Sequence, residues 1–466
     1  MERLKPMDAQ FIDAENQDKH ASFAIGSIAV FEGPAPAYEE FRAVLEASLP
    51  QLPIYRRKLR TVPLSLGRPV WVDDPDFDLG YHLRQTALPP PGGDEHLNAL
   101  MARVMAQRLD RDYPLWEYWL VYGLSESRWA LISKVHHAMV DGVSGTELYR
   151  VIFDESPVAP RRTSGALEQS GWRPPDEPSP ARLAGQAVLD MMSLPARTAR
   201  AIGAAISRPA DAVRHASDTA RAAAKLATSA WPASSSSLSG PIGRQRRYAC
   251  ARTSLTDTKA IKGELGGTVN DVVLAAISGA FRSVLLSRGE EPQPHMVPSL
   301  VPVSVRAPGE ESIYGNRVSL IVANLPVHVA DPVERFAAVR TELAALKEAG
   351  EATAAEALVA LGRYTPYPLA SLAVRLAYQL PQREIVTVTT NVPGPREQLY
   401  GLGRRLVEII PYVPIATTLR TGICILSYCD SLTFGITGDY GSTPDIQALA
   451  TGIEEGVTEL LKAAGN

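Results

Sequence analysis

Three cysteines in 466 residues, Cys250, Cys424 and Cys429, are too few and too odd in number for a disulfide framework, and their spacing matches no zinc-ligand pattern. They fit a reducing compartment. Net charge is also scarce: 47 lysines and arginines against 51 aspartates and glutamates leave −4, which offers no footprint for a polyanion and argues against a nucleic-acid partner. No run of 18 or more apolar residues occurs, and the opening MERLKPMDAQF has no signal-peptide core, so the expectation is a soluble or peripheral cytoplasmic protein. A GxxxxGK loop and an HExxH motif are missing, which removes P-loop phosphate chemistry and zincin-type hydrolysis. Gly142, Ser144 and Gly145 miss the spacing of a GxSxG nucleophile elbow, which removes a serine hydrolase.

What the chain does have is the stretch from Trp129 to Glu147, WALISKVHHAMVDGVSGTE. Ala130 to Val135 is apolar on both alternating faces and reads as a strand buried on both sides, a rigid support for a reactive side chain at its tip. The adjacent His136 and His137 must point to opposite faces of an extended backbone, so only one can aim into a given cavity while the other packs or hydrogen-bonds beneath it. Gly142 permits a sharp turn, and Ser144 with Glu147 forms a capping-box pattern for a following helix. An imidazole at a strand tip suits general-base catalysis near neutral pH. A packed core pair beside a turn aspartate is the competing reading, and the four fixed positions of HHxxxDG weigh against it. Zinc is not expected, because the two histidines diverge and no further ligand cluster accompanies them.

His136, His137, Asp141 and Gly142 match the HHxxxDG signature of the coenzyme A-dependent acyltransferase superfamily. PLWEYW at Pro114–Trp119, the pair Asn270-Asp271, VPVSVR ending at Arg306, TNVPGP at Thr390–Pro395, MDAQF and PVWVDDPDFDL make the chain resemble the bacterial wax ester synthase/diacylglycerol acyltransferase family over nearly its whole length. The resemblance implies an α/β fold with mixed sheets, arranged as two chloramphenicol acetyltransferase-like domains with an active-site channel between them. It implies transfer of a fatty acyl group from acyl-CoA to diacylglycerol, with His137 as base and His136 beside it. Asp141 and Gly142 then hold the turn, with Arg306 the chosen ion-pair partner of Asp141 and Arg317 the competitor. Asn270 and Asp271 become oxyanion or channel residues, and Pro114, Leu115, Trp116 and Asn391 shape the channel. No metal or cofactor is implied, since acyl-CoA is a substrate. The alternatives are a long-chain alcohol acceptor giving wax ester, a carrier-dependent condensation-type transferase, and a non-catalytic lipid-droplet-binding protein.

Composition divides the chain into residues 1–160, a Pro/Ala/Ser/Arg-rich segment 161–247 and residues 248–466. Within the middle segment, Ala181 to Trp231 has helical periodicity and reads either as a linker across both domains or as an arginine-bearing surface resting on membrane or lipid droplet. Strands are expected at Phe23–Phe31, Tyr118–Tyr122, Leu300–Arg306, Val318–Leu325, Glu384–Thr390, Leu406–Tyr412, Gly422–Cys429 and Leu432–Asp439. Helices are expected at Pro36–Leu49, Glu95–Leu109, from Thr268, and at Pro444–Leu461. Trp71–Leu79, with four aspartates, reads as a solvated loop, and Pro302 favours an edge or bulged position in its strand. Thr268 with Asp271 forms a capping pattern, which is itself a sufficient reason for Asp271.

Overall fold

The computed structural model of the chain describes residues 2–139, 149, 152–158, 172–192, 236–304, 318–348, 367–368 and 385–465. Its principal helices are α1 (Pro6–Gln17), α2 (Tyr38–Ser48), α3 (Asp94–Ala106), α4 (Leu255–Leu265), α5 (Val269–Ser287), α6 (Pro332–Glu348) and α7 (Ile446–Ala463). Its principal strands are β1 (Ala24–Phe31), β2 (Leu83–Ala87), β3 (Trp116–Leu124), β4 (Arg128–His136), β5 (Arg246–Ser254), β6 (Pro298–Ser304), β7 (Val318–Asn324), β8 (Thr387–Val392), β9 (Arg404–Tyr412), β10 (Thr421–Tyr428) and β11 (Ser431–Asp439). They form two six-stranded mixed sheets.

In the first sheet the two-residue strand Tyr400–Gly401 is followed by β9, β1, β4, β3 and β2. All its pairings are antiparallel except β2 with β3. In the second the order is β7, β6, β8, β10, β11, β5, with β8 parallel to both neighbours. The sheets are tied by β9, which comes late in the chain yet pairs with β1, Leu406 opposite Phe31 and Tyr412 opposite Gly26. The chain then crosses directly into β10 of the second sheet. Sequence periodicity identified Leu406–Tyr412 as a strand, but only long-range pairing reveals which sheet it completes.

The sheets approach each other closely at Gly435 on β11. A Cβ there would lie 1.6 Å from the Pro411 carbonyl oxygen and 2.5 Å from the Tyr248 hydroxyl, and that hydroxyl donates to the same carbonyl at 2.6 Å. Gly435→Ala is therefore expected to destabilise the protein by about 3 kcal/mol through overpacking between two backbones. Urea titration of the two proteins checks this, and equal midpoints would show that the contact relaxes freely.

Helix α5 is buried on almost every face against the second sheet, α6 and α7. Among the described residues it is the one helix long and apolar enough to cross a bilayer, and here it is a core helix. Thr268 and Asp271 form the expected capping box at its start. Pro302 lies in a strand second from its sheet edge. However, β6 meets β8 only at Ser299 and Leu300, so the missing amide of Pro302 interrupts no pairing on that side.

Two local expectations need correction. The Gly422–Cys429 pattern predicts a strand through Cys429, but β10 ends at Tyr428 and Cys429 is exposed in the turn that leads to Ser431. The Trp71–Leu79 stretch is not wholly a solvated loop. Val70–Asp73 pairs between Glu2–Arg3 and Arg57–Arg60 in a small third sheet, and buried Asp74 accepts the Lys58 ammonium at 2.9 Å. Opposite charge, supplied from a neighbouring strand, is what allows that carboxylate inside. Of the 181–231 segment, only residues 181–192 are described. They belong to a helix that docks through Leu183 onto Val70 and Val72.

Candidate active site

Strand β4 presents Leu131, Ser133 and Val135 to a cavity of about 190 Å³, while Lys134 and His136 face the other way. Backbone bonds hold the strand tip on both sides: the His136 amide donates to the Leu115 carbonyl and the His137 amide to the Phe23 carbonyl, each at 2.9 Å. After His136 the chain turns into a short 3₁₀ segment, His137–Met139. That turn carries the His137 ring to the cavity wall, where it stacks on Phe11 of α1 with centroids 4.1 Å apart.

His136 is 2% exposed. Its Nδ1 accepts the Ala138 amide at 3.1 Å, so Nε2 is the nitrogen that carries hydrogen, and it lies 3.7 Å from Oε1 of Glu15. Glu15 is equally buried. Its Oε1 also accepts the Phe23 amide at 3.2 Å, and Oε2 takes the Arg111 guanidinium at 2.5 Å. Burial pushes the Glu15 carboxyl up, but His136 and Arg111 together outweigh it and hold the group at about 2. The pair of histidines thus divides, His137 toward the cavity from the 3₁₀ turn and His136 toward a buried carboxylate from the strand.

The cavity lies between the sheets. Ser27 and its neighbours on β1, Tyr118, Tyr149, Ile152, Phe153, Thr390, Val392, Tyr412 and Cys424 contribute to its wall. Most of the lining is apolar, with a few hydroxyls in fixed positions: Ser27 Oγ sits 2.5 Å from the Tyr149 hydroxyl and 2.9 Å from Ser133 Oγ. Burial pushes the Tyr149 and Tyr412 phenols up to about 12, the Tyr118 phenol well above its ordinary value, and the Cys424 thiol to about 12. These groups stay protonated at neutral pH. Imidazole is the one ionisable side-chain type in the described lining that ordinarily titrates near neutrality.

Several motif residues serve this geometry from outside. Leu115 holds the His136 backbone as above. Trp116 is buried, donates its indole N–H to the Tyr55 carbonyl at 2.8 Å, and stacks on His82 at 4.4 Å. Burial pulls the His82 imidazole down to about 4, while its Nδ1 hydrogen meets the Trp116 carbonyl at 2.8 Å. Pro114 is buried and accepts the Trp116 amide at 2.9 Å. None of the three lines the cavity.

Asn391 is turned away by strand alternation, because Thr390 and Val392 on either side of it face the cavity. Asp271 accepts the Thr268 amide at 2.7 Å and hydroxyl at 2.8 Å as a helix cap, and neither it nor half-buried Asn270 lines the cavity. Asp141, Gly142, Arg306, Arg317 and the Ser144–Glu147 capping pattern lie outside the described residues.

Phe11, Glu15, Tyr149 and Cys424 were not singled out from sequence. Phe11 and Glu15, four apart on one helix face, were within reach of a spacing argument. However, a buried glutamate has no apolar signature. Cys424 reaches the cavity only through the β8–β10 register, Thr390 opposite Cys424.

Two mixed sheets tied together by β9 form an architecture that other chains share. The first condensation domain of the calcium-dependent antibiotic synthetase superposes with a TM-score of 0.57 at 17% identity, covering 100% of this chain and 97% of that one, a likeness of fold alone. The wax ester synthase/diacylglycerol acyltransferase from Marinobacter aquaeolei superposes with a TM-score of 0.70 at 26% identity over the whole of both chains. Residues 4–273 match the wax ester synthase/diacylglycerol acyltransferase catalytic domain and residues 314–461 the WS/DGAT C-terminal domain. A Mycobacterium tuberculosis protein bearing the name probable diacylglycerol O-acyltransferase tgs1 is 40% identical over 470 residues, 99% of this chain and 96% of that one. A second M. tuberculosis relative, also named as a diacylglycerol O-acyltransferase, is 32% identical over 99% of this chain and 91% of its own length. The architecture is that of the acyltransferase and condensation-domain fold, and within it this chain belongs to the wax ester synthase/diacylglycerol acyltransferase family.

Proposed function

We propose that the chain transfers a fatty acyl group from acyl-CoA to the free hydroxyl of diacylglycerol, giving triacylglycerol and free coenzyme A, with His137 as general base. The observation that carries the reading is the imidazole at the wall of an apolar seam cavity whose other described ionisable groups burial keeps protonated. His137 takes the acceptor proton as the oxygen attacks the thioester carbonyl. The tetrahedral intermediate then expels the thiolate, and the imidazolium returns the proton to sulfur. Transfer is direct: the Cys424 thiol, at about 12, is no thiolate nucleophile. The hydroxyls of Ser27, Ser133 and Tyr149 are the fixed polar groups available to orient the ester or acceptor oxygen. His136 supports the strand tip from the opposite face. The M. tuberculosis relative is named for diacylglycerol alone and the Marinobacter protein for both activities, so the test supplies both acceptors. Purified protein with oleoyl-CoA should release thiol and form triacylglycerol from dioleoylglycerol, at a higher kcat/KM than wax ester from hexadecanol. Thiol release with neither acceptor would sink the assignment.

A further inference from the structure

A second and larger cavity, about 940 Å³, runs along the seam between α3 on one side and β5, Tyr440 and the start of α7 on the other. Its charges are segregated. At the Asp94 end of α3, Arg252 binds both oxygens of Glu408, at 2.7 and 3.0 Å, and reaches Asp94 at 2.7 Å, while its amide donates to Glu454. Glu95 lies at this end too, so it is acidic or balanced. About 14 Å further along α3, nine residues on at the helical rise, stand Arg103 and, across the groove, Arg244 and Arg247.

Both Arg103 and Arg244 are exposed, and among the described residues neither makes an ion pair or hydrogen bond. Arg247 uses one nitrogen on the Tyr440 carbonyl at 2.9 Å and lies over the Tyr440 ring at 4.1 Å, which leaves the outer face of its guanidinium open. Buried Arg246 is committed to the carbonyls of Gly243, Gln245 and His20, with Asp439 nearby. Gln107 and Gln447 complete the rim. Three guanidinium groups that line one end of the groove with an aromatic ring and amides, where the nearest carboxylate, Asp439, is buried behind the lining, suit a phosphorylated aromatic ligand.

The groove is also placed for the chemistry. Tyr248 lines it, and the Tyr248 hydroxyl donates to the Pro411 carbonyl. Pro411 and Tyr412 line the His137 cavity, and the Tyr248 and Tyr412 rings are 5.8 Å apart. The two spaces therefore approach each other at this tyrosine pair.

We infer that Arg103, Arg244 and Arg247 bind the 3′-phosphate and 5′-diphosphate of acyl-CoA, with the thioester directed past Tyr248 and Tyr412 toward His137. This assignment rests on the acyl-CoA reading above. The test pairs two donors, oleoyl-CoA and S-oleoyl-N-acetylcysteamine, which carries the same thioester and no phosphate, in the wild type and in Arg103→Glu combined with Arg244→Glu. Loss of charge-assisted bonds should raise KM for oleoyl-CoA about 10- to 100-fold, with kcat preserved, and leave KM for the phosphate-free donor within about twofold. Arg103→Gln with Arg244→Gln should fall between. Adenosine 3′,5′-bisphosphate should compete with oleoyl-CoA in the wild type and lose at least about tenfold in potency on the glutamate variant. Cosedimentation with phosphatidylglycerol vesicles should be the same for both proteins. Equal effects on both donors, no effect on either, or a loss confined to vesicle binding would overturn the groove as a nucleotide site. A wild type that turns over neither donor would overturn the acyltransferase reading and this inference with it.

Discussion

His137→Ala is expected to lower kcat/KM for oleoyl-CoA and dioleoylglycerol by about 100- to 10,000-fold, the usual contribution of a positioned general base, while the protein stays folded. The loss is chemical because the backbone there does not depend on the ring: the residue-137 amide still donates to the Phe23 carbonyl and the residue-136 amide to Leu115. What disappears is the imidazole proposed as the base and its stack on Phe11. Thiol-release kinetics at pH 7, with circular dichroism as the control for folding, decide it. A variant that retains a tenth or more of the activity would remove His137 from the mechanism without touching the family assignment.

Most of what made His137 legible was local. A two-sided apolar run predicted the buried strand, which β4 is, and the adjacent histidines do part company, although His137 does so from the 3₁₀ turn that follows the strand. The capping box at Thr268 was equally local. What stayed hidden depends on pairing between distant strands. β9 was read as a strand but not as the one that completes the first sheet, and its crossing is what encloses the cavity with Pro411 and Tyr412. Asn391 was chosen as a motif residue, and only its register with Ile425 decides that Thr390 and Val392 face inward instead. Buried charge was the other blind spot. Asp74 and Glu15 each look solvent-facing in sequence because their cationic partners, Lys58 and Arg111, arrive from elsewhere in the chain.

Glu15 shows what such a buried charge does. One oxygen faces His136 and takes the Phe23 amide, and the Phe23 carbonyl takes the His137 amide. The carboxylate therefore clamps both histidines through side chain and backbone while never lining the cavity, which makes it a positioning residue. Glu15→Gln leaves Arg111 without its buried partner and should cost about 3 kcal/mol at pH 7. The sign with pH follows from the lowered carboxyl. The folded protein holds it at about 2 against an ordinary 4.5, so the stabilisation is complete above 4.5 and drains away as pH falls toward 2. Wild type and variant should then converge in stability between pH 4.5 and 2, which urea titrations at pH 7, 4 and 2.5 would show. In the assay at pH 7 the misplaced strand tip should lower kcat about tenfold and leave KM for oleoyl-CoA nearly unchanged, because the groove arginines stand on α3 and on or just before β5 rather than on α1. A constant stability difference at all three pH values would mean that the carboxylate is not the clamp. A rise in KM with kcat unchanged would place Glu15 in substrate binding instead of in the alignment of His137.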